Sequence, residues 1–167
     1  DGTYQNTAAS QGYAASFFYG ANTNFSSTTT AYLVPIGTAI GSGKNISIGT
    51  NNNFIVAKTG VFRLDYNIQI TNTDNADDDV YTWVRINGNN VANSSVLTTI
   101  SARESGSIPS KLSMTAPIVI TANANDSIQL MLAVPGGTGV SMNSFPAIAT
   151  PAIPQTPAVF MSIRQIG

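Results

Sequence analysis

The longest regular pattern in the chain is an alternation of apolar and polar residues that follows Gly60. In "KTGVFRLDYNIQIT" (58–71) every second residue from Phe62 to Ile70 is apolar, and most residues between them are polar. Because successive side chains of a β-strand point to opposite faces, this alternation predicts a strand with one buried face. The acidic segment "TNTDNADDD" (71–79) overlaps its end.

Shorter apolar runs, separated by turn residues, continue from Ala31 to the C-terminus. They predict strands at about 31–36, 45–48, 53–57, 61–71, 80–87, 95–102, 111–120, 127–134 and 158–166. The Asn87-Gly88 pair is a strong tight-turn signal, because both residues tolerate positive φ. Strands at this spacing, with no helical period, predict an all-β, antiparallel sandwich or barrel.

Several of these strands are apolar on both faces. In "SIQLMLAV" (127–134) Met131 lies on the face opposite Ile128 and Leu130, and in "AVFMSIRQIG" (158–167) Phe160 and Ile166 lie opposite the main apolar face. Apolar residues on both faces indicate a second buried surface, which in a small β domain usually means contact with other copies. Scattered exposed apolar residues are the other interpretation.

Composition narrows the class of protein. Only 9% of the residues are charged and 43% are hydrophobic, which is typical of a folded body and not of a disordered tail. Residues 1–30 have little periodicity, so we predict an N-terminal extension or stalk-proximal segment there and one domain over 31–167. The net charge of −1 gives no general attraction to nucleic acid, and no apolar run is long enough for a membrane helix.

The order of the strand segments resembles a known family. "FIVAKTGVFRLDYNIQI" (54–70), "VYTWVRINGNNV" (80–91), "NANDSIQLML" (123–132) and "PAVFMSIRQIG" (157–167) are similar to strands of the TNF-like jelly roll, as in complement globular heads. "AYLVPIGTAIG" (31–41) is also similar to the heads of collagen-like spore-surface glycoproteins, and similar heads cap trimeric phage spikes. The resemblance covers residues 31–167 and implies an antiparallel jelly-roll sandwich assembled as a homotrimer, with Phe160, Ile166 and Met131 at the interface.

The chain offers little for catalysis. It has no histidine and no cysteine, which removes the usual activating bases and the thiolate nucleophile. Glu104 is the single glutamate, and no spacing of the aspartates singles out a catalytic pair. Asp65 is better interpreted as a partner of Arg63 or Arg85. We therefore expect no enzyme activity.

The acidic loop is the one concentration of charge. Asp74, Asp77, Asp78 and Asp79 are candidate calcium ligands, because calcium prefers several carboxylate oxygens. The loop lacks the register of an EF-hand, and some complement heads bind calcium, so the resemblance supports the site only slightly. The alternative is a solvated hairpin loop whose charges discourage strand-edge aggregation. In either case Asp77, Asp78 and Asp79 are candidate receptor contacts, and no other cofactor is expected.

A second unusual segment connects the last two predicted strands. "VPGGTGVSMNSFPAIATPAIPQTPAVF" (134–160) is much longer than a typical connection and rich in proline, which stiffens an extended loop. It is either a recognition loop or a segment packed against its own or a neighbouring subunit. Its candidate receptor contacts are Phe145, Pro146, Ile148, Pro151 and Pro154.

Three functions remain open on these grounds. The resemblance implies the non-enzymatic homotrimeric head of a surface spike or fibre, which binds a protein or glycan receptor from a virion or spore surface, with no nucleic acid partner and no membrane insertion. The second is a carbohydrate-binding module that stacks sugars on Tyr81 and Trp83, which are neighbours on one strand face. The third is a purely structural head that trimerises and caps a fibre.

Overall fold

The chain folds into two antiparallel β-sheets packed face to face, and no helix occurs in the part of the chain described. The computed structural model describes residues 12–18, 20 and 23–167. Its strands are β1 (Tyr13–Phe18), β2 (Thr23–Asn24), β3 (Tyr32–Leu33), β4 (Thr38–Ser42), β5 (Ile46–Gly49), β6 (Asn53–Val56), β7 (Gly60–Asn72), β8 (Asp78–Ile86), β9 (Asn89–Asn90), β10 (Val96–Ile100), β11 (Ser110–Ala122), β12 (Ser127–Ala133), β13 (Val140–Met142) and β14 (Val159–Gln165). The predicted all-β antiparallel sandwich is confirmed.

Sheet A is built around the long strand β7. Strand β11 pairs with the whole of β7 on one side. On the other side, β14 pairs with Phe62–Ile68 and β13 with Ile70–Asn72. Strand β1 then pairs with β14, β4 pairs with β1, and β2 pairs with β13.

Sheet B has the order β10-β8-β12-β6-β5. The short strand β9 closes a tight hairpin on β8 through Asn87-Gly88, both of which have positive φ, as predicted for this turn. The short strand β3 pairs with β12 beyond the end of β6.

The core lies between the sheets. The side chains of Phe62, Leu64, Tyr66, Ile68 and Ile70 are all buried, so the alternation in β7 correctly predicted its core face. From sheet B, Val80, Val84, Ile128, Leu130 and Leu132 meet them. Two polar groups between the sheets, the hydroxyls of Tyr66 and Thr82, bond to each other at 2.6 Å.

Several strands differ from the predicted ones. The predicted strand at 31–36 is only Tyr32–Leu33, and β4, β9 and β13 fall in segments predicted as turns or loop. No strand is predicted within residues 1–30, yet β1 lies between β14 and β4 in sheet A. Its inward positions are the small residues Ala14 and Ser16, which are buried but give no apolar alternation. Residues 1–11 of the predicted extension lie outside the described residues.

None of the described segments is a helix with the length and apolar character needed to cross a membrane.

Candidate functional site

The acidic loop joins β7 to β8, and its carboxylates are hydrogen-bonded to other segments. Asn72 organises the loop, because its Oδ1 accepts from the Asp74 N–H at 2.8 Å and its Nδ2 donates to the Ala76 carbonyl at 2.9 Å. Three carboxylates then accept from donors far away in sequence: Asp74 from the Gly139 N–H at 2.8 Å, Asp77 from the Ala102 N–H at 2.7 Å, and Asp79 from the Thr99 hydroxyl at 2.7 Å. The loop is therefore bonded to two neighbouring segments, the end of β10 with the residues just after it and the glycine loop that follows β12.

Asp78 is the buried member of this loop. It is 3% exposed, and its Oδ2 has no hydrogen-bond partner among the described residues. Burial raises the pKa of this carboxyl, and the negative charge of Asp74 raises it further, while the nearby Asn72 side chain opposes the shift. The glycine loop that follows β12 packs against it, because a Cβ on Gly137 would overlap the Asp78 carboxylate.

The predicted calcium site gains no support from this geometry. Among the described residues, no three acidic side chains come together in a way that could hold a metal ion. Asp74, Asp77 and Asp79 are each directed to a different donor, and Asp78 is enclosed. The carboxylates that the sequence places together are separated by their hydrogen bonds.

The proline-rich segment forms an ordered protrusion, which we call the finger (Phe145–Thr156). Its backbone closes on itself through reciprocal bonds of 3.0 and 2.9 Å between Phe145 and Thr156, and again between Ile148 and Ile153. Residues 146–155 are all exposed. Ile148 is 52% and Ile153 44% exposed, so the finger presents two apolar side chains to solvent. The predicted contacts Pro146, Pro151 and Pro154 lie on it.

A polar cleft of about 600 Å³ lies at the base of the finger. Its floor is a row of residues across neighbouring strands, Lys111 on β11, Thr71 on β7 and Ser141 on β13. The Thr71 and Ser141 hydroxyls bond at 2.9 Å, and the Asn143 amide donates to both. The Lys111 ammonium lies 5.0 Å from the centre of the Phe145 ring, a cation–π contact that connects the finger to sheet A.

A second concave site lies on the outer face of sheet B and is defined here as the aromatic groove. It measures about 390 Å³ and is lined by Tyr81, Trp83, Asn90, Val91, Asn93, Ser95, Ala133 and Pro135. The Trp83 indole N–H donates to Asn90 Oδ1 at 2.8 Å, which fixes the ring against the β8–β9 hairpin. Tyr81 and Trp83, predicted to share a strand face, do share one concave surface.

The residues predicted at a trimer interface differ in how much surface they offer. Met131 is 3% exposed in the single chain, because Leu33 and Trp83 flank it on the neighbouring strands. Phe160 lies on the outer face of sheet A beside Phe17, with ring centres 5.1 Å apart, and Ile166 is exposed. Phe160 and Ile166 thus have surface left for another copy, whereas Met131 has almost none.

Two other sequence interpretations concern single residues. Asp65 forms an ion pair with Arg63 on the outer face of sheet A, with 2.8 Å between Asp65 Oδ1 and Arg63 Nη2. Arg63 is one of the two partners predicted for Asp65. Glu104 is exposed in the loop before β11.

The sequence analysis did not find the polar members of either concave site. Lys111, Thr71 and Ser141 lie in three different strands, and strand pairing alone brings them together. Asn90 and Asn93 belong to a segment that the sequence shows only as a polar turn, and Ser95 is the first residue of the strand predicted at 95–102. The one local indication that these three residues belong to a site is that they follow Tyr81 and Trp83 closely in the chain.

No protein-family model matches this chain, and its sequence matches no curated protein. The proposals below therefore rest on the resemblance and on the geometry described above.

Proposed function

We propose that this chain is the non-enzymatic, homotrimeric head of a surface spike or fibre, built on a TNF-like jelly roll, and that it presents the finger to a receptor. The resemblance points to a virion or spore surface. The observation that carries the proposal is the finger itself: a protrusion braced by four backbone hydrogen bonds and tipped by exposed isoleucines. A pre-ordered loop loses little conformational entropy when it binds.

The strand order supports the fold part of this proposal. Along the chain, β6, β7 and β8 alternate between sheets B, A and B, and β11, β12 and β14 alternate between A, B and A. Repeated crossing between two antiparallel sheets is typical of jelly rolls, which are built from Greek keys.

The outer face of sheet A supports the trimer. Phe17 and Phe160 form an aromatic pair there, and exposed Ile166 follows the same strand. Apolar surface of this kind on a strand face is commonly covered by another subunit. Three copies would also present three fingers, so that a weak single contact gains avidity.

Light scattering tests the assembly. We expect a particle near three times the 17.4 kDa of the chain. Phe160→Asp should shift the mass towards one copy, because the carboxylate would be desolvated at the interface, whereas Glu104→Gln, a change at an exposed loop residue, should leave it unchanged. A monomeric wild-type protein would contradict the trimer.

Cell binding tests the finger. The labelled protein is incubated with a panel of intact bacterial cells and spores and scored by flow cytometry. The double variant Ile148→Ser/Ile153→Ser should reduce the binding of responsive cells by at least about tenfold, since buried apolar anchors dominate most interfaces. Ile108→Ser, at an equally exposed isoleucine outside the finger, should bind normally.

Equal binding by the double variant and the wild type would remove the finger from recognition. Binding to no member of the panel would favour the structural capping head. The carbohydrate-binding module is favoured by a separate observation, the aromatic groove, which is considered next.

A further inference from the structure

The aromatic groove combines an apolar floor with unpaired polar groups. Tyr81 and Trp83 are half-buried and line the groove, so part of each side chain is open to a ligand. Val91 and Ala133 extend the apolar floor. Flat apolar surface of this kind suits a ligand with a flat apolar face, and the volume of about 390 Å³ is near the lower end of small-ligand sites.

The polar groups around this floor have hydrogen-bonding capacity to spare. Within the described part of the chain, the hydroxyls of Tyr81 and Ser95 and the side-chain amide of Asn93 have no hydrogen-bond partner. Asn90 uses its Oδ1 to hold the Trp83 indole, which leaves its Nδ2 to donate elsewhere. The groove therefore offers both donors and acceptors to a ligand rich in hydroxyls.

No charged side chain lines the groove among the residues described. Asp79 and Arg85 lie on the same face of β8, but of the residues of this strand only Tyr81 and Trp83 line the groove. A charged ligand group would lose its hydration in this groove, and no opposite charge is present to offset that cost. The ligand that fits is neutral, has hydroxyl groups and presents an apolar ring face.

From this combination we infer that the aromatic groove is a binding site for a neutral sugar ring. The ring's C–H face stacks on Trp83 and Tyr81, and its hydroxyls bond to Asn90, Asn93 and Ser95. The Trp83–Asn90 bond presets both the stacking surface and one donor before the ligand arrives. This inference depends neither on the trimer nor on the finger, because one chain supplies the whole groove and no residue of the finger lines it.

Trp83 makes the inference directly measurable, since it is the single tryptophan of the chain. The full chain is screened on a printed array of neutral and acidic glycans, and the best neutral oligosaccharide is then titrated while the tryptophan fluorescence is followed. We expect a saturable change in emission, because the ligand covers this one fluorophore.

Variants locate the binding. Trp83→Ala and Tyr81→Ala should each weaken the apparent affinity, followed on the array and by calorimetry, by at least about tenfold, as expected for aromatic anchors at the centre of a site. Tyr13→Ala, at an exposed tyrosine on sheet A, is the matched control and should bind as the wild type does. Trp83→Phe keeps a ring in a folded protein and should retain part of the affinity. Thermal unfolding confirms that each variant is folded.

Four results would overturn the inference. They are binding to no neutral glycan, binding to acidic glycans alone, and neutral-glycan binding that persists in Trp83→Ala and Tyr81→Ala. The fourth is a change of mass in light scattering on Trp83→Ala, which would make the groove a contact between copies. Each is independent of the finger assay, so failure of the groove and failure of the proposed head can be told apart.

Discussion

The Tyr66 hydroxyl is a polar group in the centre of the apolar core. It is enclosed between the sheets, and its partner is the Thr82 hydroxyl of the opposite sheet, at 2.6 Å. Burial raises the pKa of Tyr66, and the bond to Thr82 acts in the opposite direction. This pair fixes how β7 and β8 face each other, because neither hydroxyl has water as an alternative partner.

Tyr66→Phe should lower the free energy of unfolding by about 1–3 kcal/mol, because it leaves the Thr82 hydroxyl buried without a partner. Thr82→Val should cost a similar amount. The double variant should cost less than the sum of the two, since no polar group is then stranded. Urea denaturation measures all three, with Tyr13→Phe as an exposed control. Strict additivity would show that the bond contributes nothing.

The buried carboxyl of Asp78 should give the stability of the protein an unusual dependence on pH. Its pKa is raised in the folded protein, chiefly by burial, so the folded state holds the proton more tightly than the unfolded chain does. Its contribution to stability is therefore complete below the ordinary aspartate pKa and is lost as the pH rises through the folded-state value. Between neutral pH and about pH 4, this residue should make the wild type more stable as the pH falls.

Asp78→Asn should remove that part of the pH dependence, because an amide carries no titrating proton. The measurement is the urea midpoint of both proteins at a series of pH values from 7 to 4. Glu104→Gln serves as the control at an exposed carboxylate. Parallel curves for the wild type and Asp78→Asn would rule out a raised pKa at this position.

At the scale of elements, the acidic loop and the glycine loop after β12 fit together. A Cβ at Gly137 would overlap the Asp78 carboxylate, and one at Gly139 would overlap that of Asp74. Sequence reasoning found the aspartates from their charge and placed the glycines in the long connection before the last strand, but nothing local indicates that one segment needs the other. The need arises because β12 and β8 are adjacent in sheet B, which brings the ends of both strands together.

Gly137→Ala should destabilise the protein by about 1–3 kcal/mol, the usual range for overpacking. The same substitution should cost less in an Asp78→Ser background, where the overlapping carboxylate is absent. Gly41→Ala is the matched control, because an added Cβ there meets only ordinary contacts with Tyr13. Equal effects at Gly137 and Gly41 would contradict the packing argument. Thermal unfolding provides the comparison.

At the scale of the whole molecule, the last strand completes the first sheet. Strand β14 lies between β7 and β1, so it occupies the interior of sheet A. It is hydrogen-bonded to β7 on one side and to β1 on the other. Val159, Met161 and Ile163 are buried there. Sheet A therefore cannot form until nearly the entire chain is available, which is typical of folds dominated by long-range pairing.

Deletion of residues 159–167 should abolish cooperative unfolding, since it exposes both flanking strands and empties part of the core. Replacement of the longer finger segment 146–155 by Asn-Gly is the control. Phe145 and Thr156 already form a hydrogen-bonded pair that a two-residue turn can close. That variant should stay within about 1 kcal/mol of the wild type, because shortening an exposed loop changes chain entropy little. Circular dichroism during heating distinguishes the two results.

The sequence by itself determined the fold class, the core face of β7 and the tight turn at Asn87-Gly88, because alternation and turn chemistry are local properties of the chain. It also identified Tyr81 and Trp83 as neighbours on one face, since residues two apart in a strand must share it. It missed β1, whose buried positions are alanine and serine.

Only the tertiary structure decided the rest. Asp78 is a buried acid, Lys111 contacts Phe145, and Asn90 bonds to Trp83. Strand pairing and hairpin closure bring these groups into place. A local pattern specifies which way a side chain points, whereas its partners lie on other strands and loops that the fold brings beside it. The acidic loop and both concave sites are built from such partners.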